Sequence, residues 1–160
     1  MREHMVKLAI ADTPYFLYSD FELRRRGNTY TAQTLSLLRE EYREDTFYFI
    51  IGADSLYQIE QWFHPELVMK LAVLLVAGRA YHDDHQPFDR HIEYLTSRYG
   101  AKISPIRCRE MDVSSEEIRA SVSDGHSIHG FVPDAVDEYI KDHGLYGGGV
   151  KTPVLAGTGK

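Results

Sequence analysis

Three short segments without charged side chains alternate with longer segments whose apolar residues recur at helical spacing. The first runs from Thr46 to Ile51 and is aromatic and β-branched, and the others run from Val73 to Ala77 and from Ile103 to Ile106. Uncharged, apolar runs of this length are typical of strands in a parallel sheet. The pattern predicts three strands, of which the first is buried on both faces.

Helices are predicted before and after these strands. Leu35, Leu38 and Tyr42 recur at helical spacing, and Thr31 can cap the start of that helix. A further short strand is expected from Tyr15 to Ser19, because Pro14 disfavours a helical residue before it. The predicted helices are Arg2 to Ala11, Thr31 to Tyr42, a short stretch from Asp54 through Ile59, Glu66 to Leu71, Phe88 to Tyr99, Ser114 to Ser123, and Pro133 to His143. Strands alternating with helices indicate an α/β fold with a mostly parallel sheet.

Length and composition indicate one compact domain over residues 1–146, followed by a flexible Gly-rich tail over residues 147–160. The net charge of −6 argues against a broad basic surface for nucleic acid or anionic membranes. The single cysteine, Cys108, and the absence of an apolar run of about 20 residues predict a cytoplasmic protein. The sequence leaves the oligomeric state undetermined.

Gly52, Ala53 and Asp54 follow the first predicted strand directly. Ligands bind beyond the carboxyl ends of strands in open parallel sheets, so this turn is a candidate nucleotide site. Glycine lets a ligand approach the backbone closely, and Asp54 can accept hydrogen bonds from ribose hydroxyls or an adenine amino group. The alternative interpretation is a plain turn in which Asp54 caps the next helix.

Ser114, Ser115 and Arg119 begin the sixth predicted helix. Hydroxyls and free backbone N–H groups at a helix start suit a phosphate, and Arg119 can add a charge-assisted hydrogen bond. Ser114 and Glu117 also match a capping box, which requires no ligand.

The pairs Tyr30-Thr31 and Trp62-Phe63 form the third candidate. The helix start at Thr31 can hold a carboxylate, and Trp62 can stack on a flat heteroaromatic ring. The alternative is that this only tryptophan is a core residue.

Other candidate residues provide weaker evidence for a functional site. A polar loop over residues 81–87 contains metal-ligand types, but crowding on a polar loop favours solvated side chains, and no metal site is predicted. His126 and His129 are predicted to be surface groups, and Arg24 to Arg26 either help to bind a phosphate or form an exposed charge run. The crowded loop residues are His82, Asp83, Asp84 and His85.

Read in order, these segments resemble the bacterial nicotinate-nucleotide adenylyltransferase family over almost all of residues 1–146. The resemblance rests on several stretches in register, since each single motif is weak. They are Arg2 to Ala11, "GNTYTAQTLSLLRE", "FYFIIGADSLYQIEQWF", the strand ending at Gly78-Arg79, "VSSEEIR" and "FVPDAVDEYIKDHGLY".

The resemblance implies a Rossmann-like nucleotidyltransferase that joins ATP and nicotinate mononucleotide into deamido-NAD with Mg²⁺ and releases pyrophosphate. It implies that Thr31 and Trp62 hold the nicotinate ring and its carboxylate, with the backbone of Phe63 nearby. The residues it assigns to ATP are Gly52, Asp54, Ser114, Ser115 and Arg119.

Two departures from the family pattern matter. Glu116 stands where the family usually has threonine and is expected to point away from the phosphates. The printed chain also lacks the family's Gly-rich loop of the form GxFDPxHxGH, whose histidines bind the ATP phosphates, together with its flanking strands and helix. The catalytic residues are therefore unknown, and we expect this chain alone to be nearly inactive and prone to aggregate, because a lost strand exposes its neighbours.

Two alternatives stay open at this point. The missing histidine loop favours a non-catalytic nucleotide-binding remnant or interaction module, whereas the retained Asp54, Trp62 and Arg119 argue against one. A related enzyme with another substrate, such as a pantetheine-phosphate or nicotinamide-nucleotide adenylyltransferase, would share the fold. The helix start at Thr31 favours nicotinate because it suits a carboxylate.

Overall fold

The computed structural model describes residues 1–77, 85–108 and 113–147, and these divide into two compact units. The larger unit spans residues 20–110, and the smaller one combines residues 1–19 with residues 111–160. The predicted single domain over residues 1–146 stays a prediction, and the predicted tail lies, apart from Gly147, outside the described residues.

A parallel sheet forms the centre of the larger unit. Its strands are β1 (Phe47–Gly52), β2 (Ala72–Ala77) and β3 (Lys102–Ile106), in the order β1-β2-β3 with both pairs parallel. The register pairs Gly52 with Ala77, so the carboxyl ends of these two strands lie level at one edge of the sheet. The predicted parallel α/β arrangement is confirmed.

Helices connect these strands. The larger unit contains α2 (Thr31–Glu41), α3 (Ala53–Tyr57), a 3₁₀ turn (Ile59–Gln61), α4 (Pro65–Leu71) and α5 (His85–Tyr99). The smaller unit contains α1 (Arg2–Ile10), α6 (Ser115–Ser123), α7 (Asp134–Asp142) and a 3₁₀ turn (Leu145–Gly147). None of the described helices combines the length and the apolar composition that a bilayer crossing requires.

Each unit has its own apolar core. In the larger unit the core lies on one face of the sheet, where Leu74 and Val76 of β2 pack with residues of the helices such as Leu35, Leu56 and Leu95. In the smaller unit Ile128, Val136 and Ile140 are buried, with side chains of α1 and α6 against them. Buried and partly exposed residues alternate along β2, because successive strand residues point to opposite faces. This places Leu74 and Val76 on the face that carries the larger core.

The prediction that β1 is buried on both faces is wrong. Tyr48 and Ile50 are 63% and 65% exposed, whereas Ile51, which points to the other face, is buried. Among the described strands β1 lies at the edge of the sheet, and the helices that form the core cover only one face. The uncharged sequence of β1 therefore predicted a strand correctly, but it did not determine how many faces of that strand are covered.

Two other local predictions are corrected. Residues Tyr15 to Ser19 form no strand, and Phe16 donates its backbone N–H to Thr13 O in a turn instead. An extended segment needs a neighbouring strand to pair with, and no described strand lies beside it. Helix α5 begins at His85 rather than Phe88, since the first turn tolerates Pro87, whose missing N–H would have no helical partner there.

Candidate functional site

Thr31, Trp62 and Phe63 line one cavity of about 320 Å³ in the larger unit. The sequence placed them 31 residues apart, and the fold brings the start of α2 next to the end of the 3₁₀ turn. Tyr30, which the sequence also placed in this candidate site, completes the lining together with Thr29 and Gln61, which the sequence analysis did not single out. The only signal for those two was their position beside Tyr30 and Trp62 along the chain.

The helix start at this cavity differs from the prediction in one respect. Tyr30 occupies the N-cap position of α2 and Thr31 is the first helical residue, so the prediction that Thr31 caps the helix is wrong. No side chain caps this helix. The first-turn N–H groups of a helix have no intrahelical acceptor, and together with the helix dipole they favour an anion at this place.

Trp62 combines the two roles that the sequence left open. It is half-buried, packs against the larger core, and meets Phe49 edge to face with ring centroids 6.3 Å apart. It also contributes to the cavity wall, so core packing fixes the orientation of a ring that remains accessible. Tyr30 and Phe63, which also line the cavity, stack with ring centroids 4.4 Å apart.

The carboxylate of Glu60 joins the 3₁₀ turn before Trp62 to α5 by hydrogen bonds. The hydroxyls of Tyr99 and Tyr94 donate to Glu60 Oε1 at 2.7 and 3.0 Å, and Arg98 Nε lies 3.8 Å from the same oxygen. The hydrogen bond from Tyr99 is the main cause that lowers the pKa of Glu60, followed by that from Tyr94 and the charge of Arg98. Tyr99 shows the reciprocal effect, because the same bond raises the pKa of its phenol.

The backbone turns sharply after Phe63. His64 has φ 49° and ψ 61°, a left-handed conformation that is uncommon for a residue other than glycine. Pro65 follows as the first residue of α4, and a residue before proline is disfavoured in the right-handed helical region. His64 Nδ1 lies 2.9 Å from Glu66 Oε1, and this contact lowers the pKa of Glu66.

Gly52 and Asp54 lie at the carboxyl edge of the sheet, as predicted. Gly52 is the N-cap residue of α3, and the structure gives this helix no side-chain cap, so the alternative in which Asp54 caps it does not hold. Asp54 is an exposed first-turn residue. A methyl group added at Gly52 would come no closer than 3.9 Å to Ala77 O, and φ is −78°, so internal packing does not require glycine here.

Ser114, Ser115 and Arg119 lie in the smaller unit, at the start of α6. The capping box is present: Ser114 Oγ accepts from the Glu117 N–H at 3.1 Å, and the Ser114 N–H donates to Glu117 Oε2 at 2.6 Å. Ser114 therefore has a structural role whether or not it meets a phosphate. Ser115, Glu116 and Arg119 are exposed.

The structure also locates most of the residues that the sequence singled out as weaker candidates. His126 and His129 are exposed, which confirms them as surface groups. Arg24 is exposed and paired with Asp20 at 2.7 Å, whereas Arg25 donates to Gln33 Oε1 at 2.8 Å on α2. The residues from His82 to Asp84 and the side chain of His85 lie outside the described part, and elsewhere no group of three or more acidic, histidine or cysteine side chains is arranged to hold a metal.

Comparison with known proteins gives one consistent result. No family model matches the chain. It is 48% identical over 145 residues to a probable nicotinate-nucleotide adenylyltransferase of Lachnoclostridium phytofermentans, covering 91% of this chain and 72% of that protein. A protein of the same description from Caldicellulosiruptor bescii is 39% identical over 145 residues, with the same coverage of both chains.

Solved structures agree on the fold. Nicotinic acid mononucleotide adenylyltransferase of Plasmodium falciparum, complexed with NaAD, superposes with a TM-score of 0.68 at 19% identity, over 91% of this chain and 72% of that one. The same enzyme complexed with APC gives a TM-score of 0.67 at 20% identity. The likeness confirms the predicted Rossmann-like nucleotidyltransferase fold.

Proposed function

Because the chain belongs to the nicotinate-nucleotide adenylyltransferase family, we propose that it transfers AMP from ATP to nicotinate mononucleotide, forming deamido-NAD and pyrophosphate in NAD biosynthesis. One observation carries the assignment of the acceptor to particular residues. Thr31, Trp62 and Phe63, which are distant in sequence, line a single cavity at the start of α2.

The chemistry of this cavity suits nicotinate better than its amide. A carboxylate gains from the unpaired N–H groups and the positive end of the α2 dipole, whereas a neutral amide gains little from either. The accessible Trp62 ring offers a stacking surface for the pyridine. We assign the carboxylate to the Thr31 hydroxyl and the first-turn N–H groups, and the ring to Trp62 and Phe63.

Two sets of residues, each within one unit, are proposed to contact ATP. Gly52 and Asp54 suit adenosine because glycine admits close approach and the exposed carboxylate can accept from ribose or adenine. Ser115 and Arg119 suit the phosphates, with a hydroxyl and N–H groups at a helix start and a guanidinium one turn later. Ser114 forms the capping box that fixes the start of this helix, and it is proposed to lie beside the phosphates.

In the proposed reaction a phosphate oxygen of nicotinate mononucleotide attacks the α-phosphorus of ATP. A new P–O bond forms as the bond from that phosphorus to the β-phosphate oxygen breaks, and pyrophosphate leaves. Such transfers rest on positioning and on neutralising charge, to which Arg119 contributes a positive group. The catalytic residues themselves remain unassigned.

Magnesium is proposed to arrive with ATP. The described residues include no cluster of three potential metal ligands, and Mg²⁺ is commonly held by substrate phosphates with one or two carboxylates. Bound there, it would shield the phosphate charges. A cytoplasmic location is also proposed, on the evidence of the single cysteine, Cys108.

The test is pyrophosphate release from ATP and nicotinate mononucleotide, measured on the 160-residue chain and on a longer form that carries the GxFDPxHxGH segment. We expect normal turnover only in the longer form. Nicotinamide mononucleotide and phosphopantetheine serve as competing acceptors, and a preference for either would contradict the substrate assignment. Turnover by neither form, with nucleotide still bound, would favour the non-catalytic binding module.

A further inference from the structure

The short helix α3 carries the proposed adenosine contact and follows β1 without an intervening loop. Gly52 is both the last residue of β1 and the N-cap residue of α3, and Asp54 lies in the first turn of that helix. The helix is only five residues long, and a helix of that length has too few internal hydrogen bonds to be stable by itself in water. Contacts with the rest of the larger unit must therefore hold Asp54 in place.

Apolar packing anchors one face of α3. Ala53 and Leu56 are buried and belong to the larger core. Burial of apolar surface is a non-directional force, so it holds the helix against the core without fixing its rotation about its own axis. Asp54 is exposed, and the direction of its carboxylate depends on that rotation.

His91 of α5 supplies a directional contact to the other end of α3. Its Nε2 lies 3.2 Å from the carbonyl oxygen of Leu56, which is 35 residues away in sequence. A carbonyl oxygen can only accept a hydrogen bond, so Nε2 must carry the hydrogen and donate it. Hydrogen bonds weaken steeply as they bend, and this one therefore restricts the rotation of α3 in a way that apolar packing does not.

Aromatic neighbours hold the imidazole in this orientation. Tyr57, the last residue of α3, lies against the His91 ring with centroids 4.9 Å apart, and Tyr94 stacks on His91 with centroids 6.1 Å apart. Phe88, which is buried in the larger core, meets Tyr57 edge to face. Tyr94 is itself held by its hydrogen bond to Glu60. The donor that meets α3 is thus fixed by packing on α5 as well as by its own bond.

We propose that His91 is a positioning residue for nucleotide binding, whose bond to Leu56 O fixes the orientation of α3 and hence directs the Asp54 carboxylate toward adenosine. This inference rests on the proposed function, from which it takes the adenosine contact of Asp54. Its effect is selective, because neither His91 nor any residue of α3 lines the cavity assigned to the acceptor. Loss of the bond should weaken ATP binding and leave nicotinate mononucleotide binding unchanged.

Two substitutions of similar helix propensity, His91→Gln and His91→Met, separate the donor from the ring. The glutamine amide can donate to Leu56 O from about the position of Nε2, whereas methionine has no donor. On the 160-residue chain, calorimetry measures the ATP Kd and Trp62 fluorescence measures the mononucleotide Kd. We expect His91→Met to raise the ATP Kd about fivefold, as for one lost hydrogen bond, with the mononucleotide Kd unchanged. His91→Gln should bind ATP within about twofold of the parent.

The ring proton gives an independent measurement on the unaltered chain. In mildly alkaline solution, where imidazoles are neutral, long-range ¹H–¹⁵N NMR spectra show which nitrogen of His91 is protonated, and we expect Nε2. The Nδ1–H tautomer would overturn the proposal and leave the proposed function intact. Normal ATP binding by His91→Met would do the same, as would an equal loss of both ligands, which indicates a general weakening of the fold.

Failure of the proposed function has a different signature. The parent chain would then bind nicotinate mononucleotide but not ATP, while His91 keeps the Nε2–H tautomer. That result would show that the assignment of adenosine to Gly52 and Asp54 is wrong, and it would overturn the positioning role of His91 together with it.

Discussion

Single residues at the sheet edge and at the start of α2 carry the proposed ligand contacts. Gly52 adopts a conformation open to any residue, and there is room for a methyl group beside it. Thr31 begins α2 without capping it, so its hydroxyl is not used at the N-cap. In both cases the local structure does not explain the residue type, which leaves ligand binding as the reason we propose.

Replacing Gly52 by alanine should weaken ATP binding without lowering the stability of the fold. We expect an unchanged or slightly higher Tm, because alanine at a compatible φ reduces the entropy of the unfolded chain. We expect ATP affinity to fall about tenfold, or about 1.4 kcal/mol, as the methyl group keeps the nucleotide from the backbone. Calorimetry measures both quantities.

The matched control is Gly100→Ala, at φ +65°. A left-handed alanine costs about 1–2 kcal/mol, so its Tm should fall while ATP affinity stays constant. If Gly52→Ala bound ATP normally, the assignment of this turn to adenosine would be wrong.

The single tryptophan provides a direct reporter for the acceptor. Nicotinate mononucleotide should change Trp62 fluorescence in a saturable way, and Thr31→Val should raise its Kd about tenfold or more, since a hydrogen bond to a charged group contributes about 1.5–3 kcal/mol. Thr96→Val makes the same change at an exposed position of α5 and should leave the Kd alone. An unaltered Kd in Thr31→Val would remove Thr31 from the site.

Among the elements, the short 3₁₀ turn is held by its contact with α5. Tyr94 and Tyr99 donate to Glu60, two residues before Trp62. The turn is only three residues long, and burial of Ile59 in the larger core anchors it together with this contact. The contact thereby links the C-terminal part of α5 to one wall of the acceptor cavity.

Tyr99→Phe should therefore lower stability in a pH-dependent way. The pKa of Glu60 is lowered in the folded protein, so its contribution is complete above the ordinary glutamate value of about 4.3 and is lost as pH falls through the lowered value. We expect a lower Tm than the parent at pH 7 and convergence of the two at acid pH. Thermal melts across pH 3–7 measure this, and a Tm difference that stays constant with pH would contradict it.

At the scale of the whole molecule, the larger unit leaves one face of β1 uncovered. Tyr48 and Ile50 lie side by side on that face, on a strand that is also an edge among the described strands. Exposed apolar edge strands template pairing with other chains. This arrangement supports the expectation that the chain alone aggregates, which stays a prediction.

Ile50→Glu should slow that aggregation. The charge falls on the open face and opposes stacking of a second chain, so light scattering at 37 °C should rise at less than about half the parent rate. Ser97→Glu adds the same charge at an exposed position of α5 and controls for net charge alone. Equal slowing by both variants would mean that the β1 face is not the contact.

Apart from the strand predicted from Tyr15 to Ser19, the strands and helices were determined by the sequence, because the repeat of apolar residues reflects which local structure can bury them. The parallel α/β class and the positions of Gly52 and Asp54 at a strand end followed from the order of these elements, whereas the family followed from the resemblance of several sequence stretches in register. The capping box of Ser114 and Glu117 was also readable, since its hydrogen bonds join residues three positions apart.

Only the tertiary structure decided what depends on distant residues. It brought Thr31 to Trp62 in one cavity, left Tyr48 and Ile50 exposed, and placed none of the described strands beside residues 15–19. It also buried Asp137, one of whose oxygens has no hydrogen-bond partner among the described residues, although its sequence context on α7 is that of an ordinary surface carboxylate. Burial and pairing depend on which neighbours the fold supplies, and the local pattern that specifies a helix or strand contains no information about those neighbours.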